Sequence, residues 1–354
     1  MLRTFRFTWL LTRPITRQYA TVSQSLTDLG GPPVPEGAAI DFTPSIPSPL
    51  DRQILKVASC AESPSLSELV HSYLSNSRHI LNSSLLYESR PSALRKVNWG
   101  PSTANSPDVL LIAHCVQDGD EHKITVASGF ALEAPSQCEG ESLILSCAHT
   151  LEEIRRSPIM LKNDSNSSNR HSSSTSRRVN SGSFVISSEG NMYPVTDIVS
   201  SLPRSDLMIM SCKNPGVATL PVSPYPVHAG TPVLGHFVSH ELPNEPGWRP
   251  WVGDSWSKWV RGTVLGYRES DCDFAGRETQ PGTYDALSHL LFSPGPLPTA
   301  GSSGGPIIDE ETGAVIGVML GTRMDNRVEG TRGWGVPSET IFEMFSLPGL
   351  EGKK

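Results

Sequence analysis

The sequence predicts an all-β protein built as two antiparallel β-barrels and preceded by a helical N-terminal extension. Three features carry that expectation. From residue 108 onward, short runs rich in Val, Ile, Leu and Phe recur between turns of Gly, Pro, Asn and Ser, the rhythm of a multi-stranded β domain. The runs fall into two consecutive sets, enough for two lobes with a sizeable shared core. Before residue 97 the pattern differs: Ser65-Leu66-Ser67-Glu68 is a capping box, and Leu66, Leu69, Val70, Tyr73 and Leu74 recur at helical spacing.

Taken in order, residues 1–19 contain Arg3, Arg6, Arg13 and Arg17 among aromatic and aliphatic residues, with no acid before Asp28. A basic, acid-free segment able to form an amphipathic helix reads as a mitochondrial presequence. Arg17-Gln18-Tyr19-Ala20 sets an arginine three residues before a cut at Ala20. The rival secretory signal has only 7–11 as its apolar core, broken by Thr8 and too short to span a bilayer. Residues 20–50, rich in Pro, Gly and Ser, read as a linker. Residues 51–106 form the helical extension, with a second helix expected over 77–87. The extension packs on the barrels or joins copies of the chain, so a homo-oligomer is left open. Residues 107–346 are the two-barrel domain, and 347–354 a tail.

First-barrel strands are expected at 109–116, 124–132, 143–147, 184–187, 192–198 and 207–211. Second-barrel strands are expected at 217–222, 232–238, 259–267, 287–292, 306–309, 315–320 and 333–336. Two insertions interrupt them. Residues 162–182 are rich in Ser, Asn and Arg and read as disordered. Residues 241–259 hold Trp248, Trp251, Trp256 and Trp259, four of the seven tryptophans, and are expected to pack on the second barrel.

The formal net charge is −7, and removal of the four presequence arginines takes it to about −11. Such a chain is a poor partner for nucleic-acid phosphates, which need clustered Lys and Arg. The six cysteines (60, 115, 138, 147, 212 and 272) form no Cys-x-x-Cys pair and no zinc-type spacing. A mitochondrial address, the matrix before the intermembrane space, would keep them reduced. Cys147 lies two residues before His149, and the sequence assigns it no partner.

The chemistry concentrates in Thr299-Ala300-Gly301-Ser302-Ser303-Gly304-Gly305-Pro306. A serine hydroxyl becomes a nucleophile when a tight turn exposes it and leaves backbone N–H groups for an oxyanion. Glycines at 301, 304 and 305 permit such a turn. In α/β-hydrolases the histidine follows the serine, and no histidine follows Ser303. Upstream, the apolar run 142–147 ends in Ala148-His149, which places an imidazole at a strand end. His114, His236 and His240 also sit near apolar runs. Asp206 directly precedes the apolar 207–210 and suits a carboxylate that orients the imidazole. Asp197 is its rival, but it lies inside a strand-like alternation.

These three segments resemble the triad segments of chymotrypsin/trypsin-fold serine peptidases, family S1 in the broad sense, and among them the HtrA/Deg branch. Ser128-Gly129-Phe130, Val260-Arg261-Gly262-Thr263-Val264, Ala314-Val315-Ile316-Gly317-Val318 and Gly333-Trp334-Gly335-Val336-Pro337 are similar to strands of that branch. Residues 298–302 depart from its usual Asn-Pro-Gly-Asn-Ser, and no PDZ-like module is expected after residue 345. The resemblance implies two six-stranded antiparallel β-barrels with the site in the cleft between them. It implies a serine endopeptidase acting on polypeptides, with catalytic His149, Asp206 and Ser303, the N–H groups of Gly301 and Ser303 as oxyanion hole, and no metal or organic cofactor. It places Leu297 at the base of the P1 pocket, with Val318, Met319 and Leu320 lining it, which favours small or medium aliphatic P1 residues. The rival from another class is a catalytically silent protease fold used for binding or assembly.

Overall fold

The computed structural model describes residues 47–60, 63–97, 109–134, 140–161, 179–213, 216–268, 289–294, 297–326 and 330–349. The expected presequence, nearly all of the linker and most of the 162–182 insertion lie outside these residues.

Six strands close the first barrel: β1 (Leu110–Asp118), β2 (Glu121–Leu132), β3 (Glu141–Cys147), β4 (Asn180–Ile186), β5 (Met192–Leu202) and β6 (Leu207–Lys213). Their order is β1-β4-β5-β6-β3-β2, and the antiparallel pairing of β1 with β2 closes the ring. A short β7 (Thr219–Leu220) adds to β2 in parallel. The second barrel uses β8 (Pro232–Ser239), β10 (Trp256–Arg268), β11 (His289–Pro294), β12 (Pro306–Asp309), β13 (Val315–Asn326) and β14 (Gly330–Pro337). Its order is β11-β14-β13-β12-β8-β10, closed by β10 against β11, with β9 (Arg249–Pro250) on the edge of β10.

The run expected at 217–222 as a second-barrel strand is instead the connection between the lobes. Thr219 and Leu220 pair with β2, and Pro221, lacking an N–H, ends that ladder. The Pro221 carbonyl then accepts from Val315 N at 2.8 Å, and Ser223 N donates to Val315 O at 2.9 Å. One segment is therefore bonded to both lobes.

The extension explains why β1 is apolar on both faces. Side chains alternate across a strand. Leu110, Ile112 and Val116 enter the main core, whereas Val109, Leu111, Ala113 and Cys115 form a second cluster with Leu50, Ile54, Leu55 and Ala58 of α1 (Pro49–Cys60). Val126, Phe184 and Ile186 of the first barrel and Val238, Trp251 and Val252 complete that cluster, so α1 lies across the seam between the barrels. Its start is held by a reciprocal Ser48–Asp51 cap, both bonds at 3.0 Å.

Helix α2 (Leu66–Ser75) carries the expected capping box and buries Leu66, Leu69 and Tyr73. The helix expected over 77–87 does not form. Arg78 takes a left-handed conformation (φ 60°), and the segment's backbone bonds instead to the barrels. Arg78 N donates to Ser201 O at 2.7 Å, Leu81 N to Met344 O at 2.9 Å and Glu88 N to Val222 O at 3.0 Å. Its Ser and Asn side chains favour such local, non-helical bonding. Arg95 then ties the segment down, with its guanidinium on both Glu88 oxygens and on Thr219.

Trp251 of the tryptophan-rich loop and Trp259 of β10 hold His236 of β8 edge-on, at 5.1 and 5.2 Å between ring centres. His236 is fully buried, and both its nitrogens lack a hydrogen-bond partner among the described residues. Burial pushes the imidazole down to about 3. His114 of β1 is likewise held down to about 3 by burial, with a smaller push from His149.

Two outcomes follow. Ile54→Ala removes a fully buried side chain from the seam and should cost about 2–5 kcal/mol. Calorimetry should show one transition at lower Tm, whereas an unchanged Tm would mean that α1 is not part of the folded unit. In an unfolded chain histidine protonates near 6.5, so below that pH the unfolded state gains protons that native His114 and His236 refuse. Stability therefore falls as pH drops from about 6.5 to 3, by about 1.4 kcal/mol per pH unit per ring. Denaturant titration of His236→Phe across that window should show the slope reduced by one ring's share.

Candidate active site

Strand β3 ends at Cys147, opposite Leu207 at the start of β6. That register brings the two residues beyond the strand ends together. Asp206 sits in a left-handed conformation (φ 56°) after a single 3-10 turn, Pro203–Ser205, a geometry that Asp tolerates better than most residues. Its Oδ1 accepts from Ala148 N at 3.0 Å and from His149 N at 2.7 Å. Its Oδ2 accepts a hydrogen bond from Nδ1 of His149 at 2.6 Å. The carboxylate thus holds both the backbone and the ring of His149, which opens the short helix α3 (His149–Arg155). Asp197 lies away from this site: it stands in β5 across from Ser211, and its carboxylate accepts from Ile198 N.

Behind Asp206 lies Tyr73 of α2, almost fully buried. Burial, then the carboxylates of Glu152 and Asp206, push its phenol well above its ordinary value. Tyr73 therefore stays neutral beside the aspartate and bonds to Glu152.

The Ser303 turn is fastened from both lobes. From the first barrel, Ser128 N donates to Ser303 O and Ser128 Oγ to Gly301 O, both at 2.7 Å. From the second, Val238 N donates to Ser302 Oγ at 2.9 Å, and Thr299 Oγ1 bonds to Val238 O. Gly304 N donates to Met319 O at 2.7 Å, and Met319 N to Gly305 O at 2.8 Å. Gly304 is the point of closest approach. Its φ is +82°, and a Cβ there would stand 2.2 Å from Ser128 O and 2.8 Å from Cys147 N. Only glycine fits, and that contact sets the serine turn against the strand end that leads into His149. Gly301 also has a positive φ (+91°), and its Cβ would meet the His240 side chain at 2.6 Å. Among the described residues, nothing accepts the N–H of Gly301 or of Ser303.

Ser303 and His149 are not hydrogen-bonded to each other. Ser303 Oγ, 3 % exposed with its residue, donates to Leu320 O at 2.9 Å. The His149 Nε2 faces Cys147 Sγ at 3.8 Å. Burial disfavours the charged imidazole, but Cys147 and Asp206 outweigh it and hold His149 well above its ordinary value.

Of the residues named for the P1 pocket, Leu297 is 43 % exposed. Val318, Met319 and Leu320 are buried in the barrel cores, and Leu320 presents its carbonyl, not its side chain, to Ser303. Sequence reasoning missed Ser128, Ser302 and Thr299 as anchors of the turn and Cys147 as the neighbour of His149. The two-residue separation of Cys147 and His149 at a strand end was the available signal. Among the described residues, Cys60, Cys115, Cys147 and Cys212 are free thiols, and no helix is long and apolar enough to cross a membrane.

Among solved structures, the chain is similar to the Rv3671c protease from M. tuberculosis in its active form, at 15 % identity and TM-score 0.41, covering 75 % of this chain and 92 % of that one. It is also similar to the MamO protease domain from Magnetospirillum magneticum, at 15 % identity and TM-score 0.38, covering 68 % and 96 %. No curated protein sequence matches it. Residues 127–318, more than half of the chain, match the family described as trypsin-like peptidase domain; with its two closed six-stranded barrels, the chain belongs to that family of chymotrypsin-fold peptidases.

Proposed function

We propose that this peptidase is a serine endopeptidase of mitochondria, acting in protein processing or quality control, with Ser303 as nucleophile, His149 as general base and Asp206 as the group that orients it. The observation that carries the reading is the Asp206 carboxylate, which accepts the hydrogen bond from Nδ1 of His149 and so leaves the lone pair on Nε2. On substrate binding, Ser303 Oγ leaves Leu320 O and turns to Nε2. It attacks the scissile carbonyl as its proton passes to His149, and His149 returns that proton to the leaving amine. The N–H groups of Gly301 and Ser303 receive the oxyanion, each worth on the order of 10²–10³ in rate. Water then hydrolyses the acyl-enzyme by the same route. Leu297 is the pocket residue left free to meet a P1 side chain, which suits an aliphatic residue.

The rival, a silent binding module, draws support from the same structure: Ser303 and His149 bond elsewhere, not to each other. A fluorophosphonate probe separates the two. Wild type should label and Ser303→Ala should not, with Asp206→Asn slower by on the order of 10⁴ because the imidazole loses its tautomer. Wild type labelling no better than Ser303→Ala in folded protein would leave the binding module as the reading. For the mitochondrial assignment, N-terminal sequencing of organelle-purified protein should start at or near Ala20, and an intact Met1 would overturn it.

A further inference from the structure

Beyond Pro194, β4 no longer pairs with β5, so the last stretch of β5, which leads into the Asp206 turn, has an open edge. An open edge leaves N–H and C=O groups that need partners. Among the described residues, the end of α2 and the segment after it supply them. Asn76 Nδ2 donates to Ile198 O at 2.7 Å, Ser201 N to Asn76 O at 3.1 Å and Arg78 N to Ser201 O at 2.7 Å. Ser200 Oγ donates to His79 O at 2.6 Å and Ser201 Oγ to Tyr73 O at 2.9 Å. These bonds fix α2 against the strand, and with it the Tyr73 side chain, which joins the same core cluster as Leu151 and Ile154 of α3.

A buried phenol needs an acceptor. Burial and the carboxylates of Glu152 and Asp206 keep Tyr73 protonated, and Glu152 accepts its hydrogen bond. Glu152 lies on α3 three residues after His149, so the two are neighbours on the helix surface. No side chain caps the start of α3. Asp206 holds that end through Ala148 N and His149 N, and Thr125 Oγ1 donates to Thr150 O at 3.0 Å. These ties fall on successive residues at one end, where they leave the helix able to pivot. Leu151 and Ile154 are buried and resist a pivot only through non-directional apolar packing. A directional tie one turn further along opposes it, and a pivot would carry the imidazole off Asp206 Oδ2.

We propose that Tyr73 is a positioning residue: α2 brings its hydroxyl to Glu152, and that bond stops α3 from pivoting and so holds the His149 ring on Asp206. The N-terminal extension then contributes to the rate at which Ser303 is activated, and not to the fold alone. Glu152 also pairs with Arg155 at 3.1 Å and with Arg156 at 3.5 Å. Both arginines belong to the same helical stretch as Glu152, so they cannot tie it to the rest of the molecule. Tyr73 can. The inference rests on the serine-peptidase reading above.

The test is fluorophosphonate labelling of the full chain against probe concentration, well below the Tm, as wild type, Tyr73→Phe, Glu152→Ala, Glu152→Gln, the Tyr73→Phe/Glu152→Ala pair and Ile54→Ala. Tyr73→Phe keeps the ring in the core and removes only the hydroxyl. Its maximal labelling rate should fall roughly tenfold, the cost of a slightly misplaced base, with the half-saturating probe concentration unchanged. Glu152→Ala should lose a similar factor, and the pair no more than the slower single variant, because both remove one bond. Glu152→Gln keeps an acceptor for the phenol and should retain most of the wild-type rate. Ile54→Ala should lower the Tm and leave the rate of folded molecules unchanged. An unaltered rate in Tyr73→Phe overturns the inference, as does a pair whose losses multiply, or an equal rate loss in Ile54→Ala. Proton NMR of the His149 Nδ1–H reads the tie without any reaction. Its low-field signal should move upfield in Tyr73→Phe as the bond to Oδ2 lengthens, and superposed signals would overturn the inference. Glu152→Ala, at a partly exposed side chain, gives both readouts if Tyr73→Phe does not fold. A displaced signal with no labelling even of wild type would sustain the tie and instead sink Ser303 as nucleophile.

Discussion

The Asp206 carboxylate is the constraint on which the site depends. It accepts three hydrogen bonds from a two-residue stretch: from the N–H of Ala148, the N–H of His149 and the ring Nδ1. Two of these fix where the backbone leaves β3, and the third fixes which imidazole nitrogen carries the proton. A charged acceptor with three donors is a strong and directional tie, and it accounts for the left-handed backbone at a non-glycine position. The serine turn is anchored separately, through Ser128 on one lobe and Val238 and Met319 on the other. The two halves of the site are thus built independently and meet at Gly304, where any side chain would collide with Ser128 O.

Much of this was legible in the sequence. Strands with clean apolar runs, such as β3 and β12, were placed within a few residues, because a barrel needs those side chains on its inner face. His149, Asp206 and Ser303 stood out because each borders such a run, and the structure brings the first two into contact. Legibility failed where the partner lies far along the chain. Ser48-Pro49-Leu50-Asp51 is a helix start, yet it sits at the end of a Pro-rich stretch, and the tryptophan loop that covers α1 is some two hundred residues away. The 77–87 segment has enough leucine to suggest a helix, but its N–H groups find carbonyls far along the chain, on β5 and near the C-terminus. Likewise, nothing local shows that Val318 and Met319 turn into the cores while Leu320 offers only its carbonyl.

The site is also held from behind by the extension. Tyr73 backs Asp206, Ser201 Oγ bonds Tyr73 O at 2.9 Å, and Asn76 Nδ2 bonds Ile198 O at 2.7 Å. These contacts tie α2 to the strand that leads into the Asp206 turn. The residues before the barrels therefore belong to the same folded unit as the peptidase core.

The pairing of Leu81 with Met344 and Ser346 has a consequence for how the chain is made. Ser346 Oγ reaches Leu81 O across 265 positions of sequence, and α1 needs Trp251 and Val252 for its cover. During synthesis, the earliest segments emerge long before their mates. Such distant closures slow folding and leave greasy surface open to aggregation in the meantime. The apolar stripe of α1 thus stays uncovered until Val238, Trp251 and Val252 have been made.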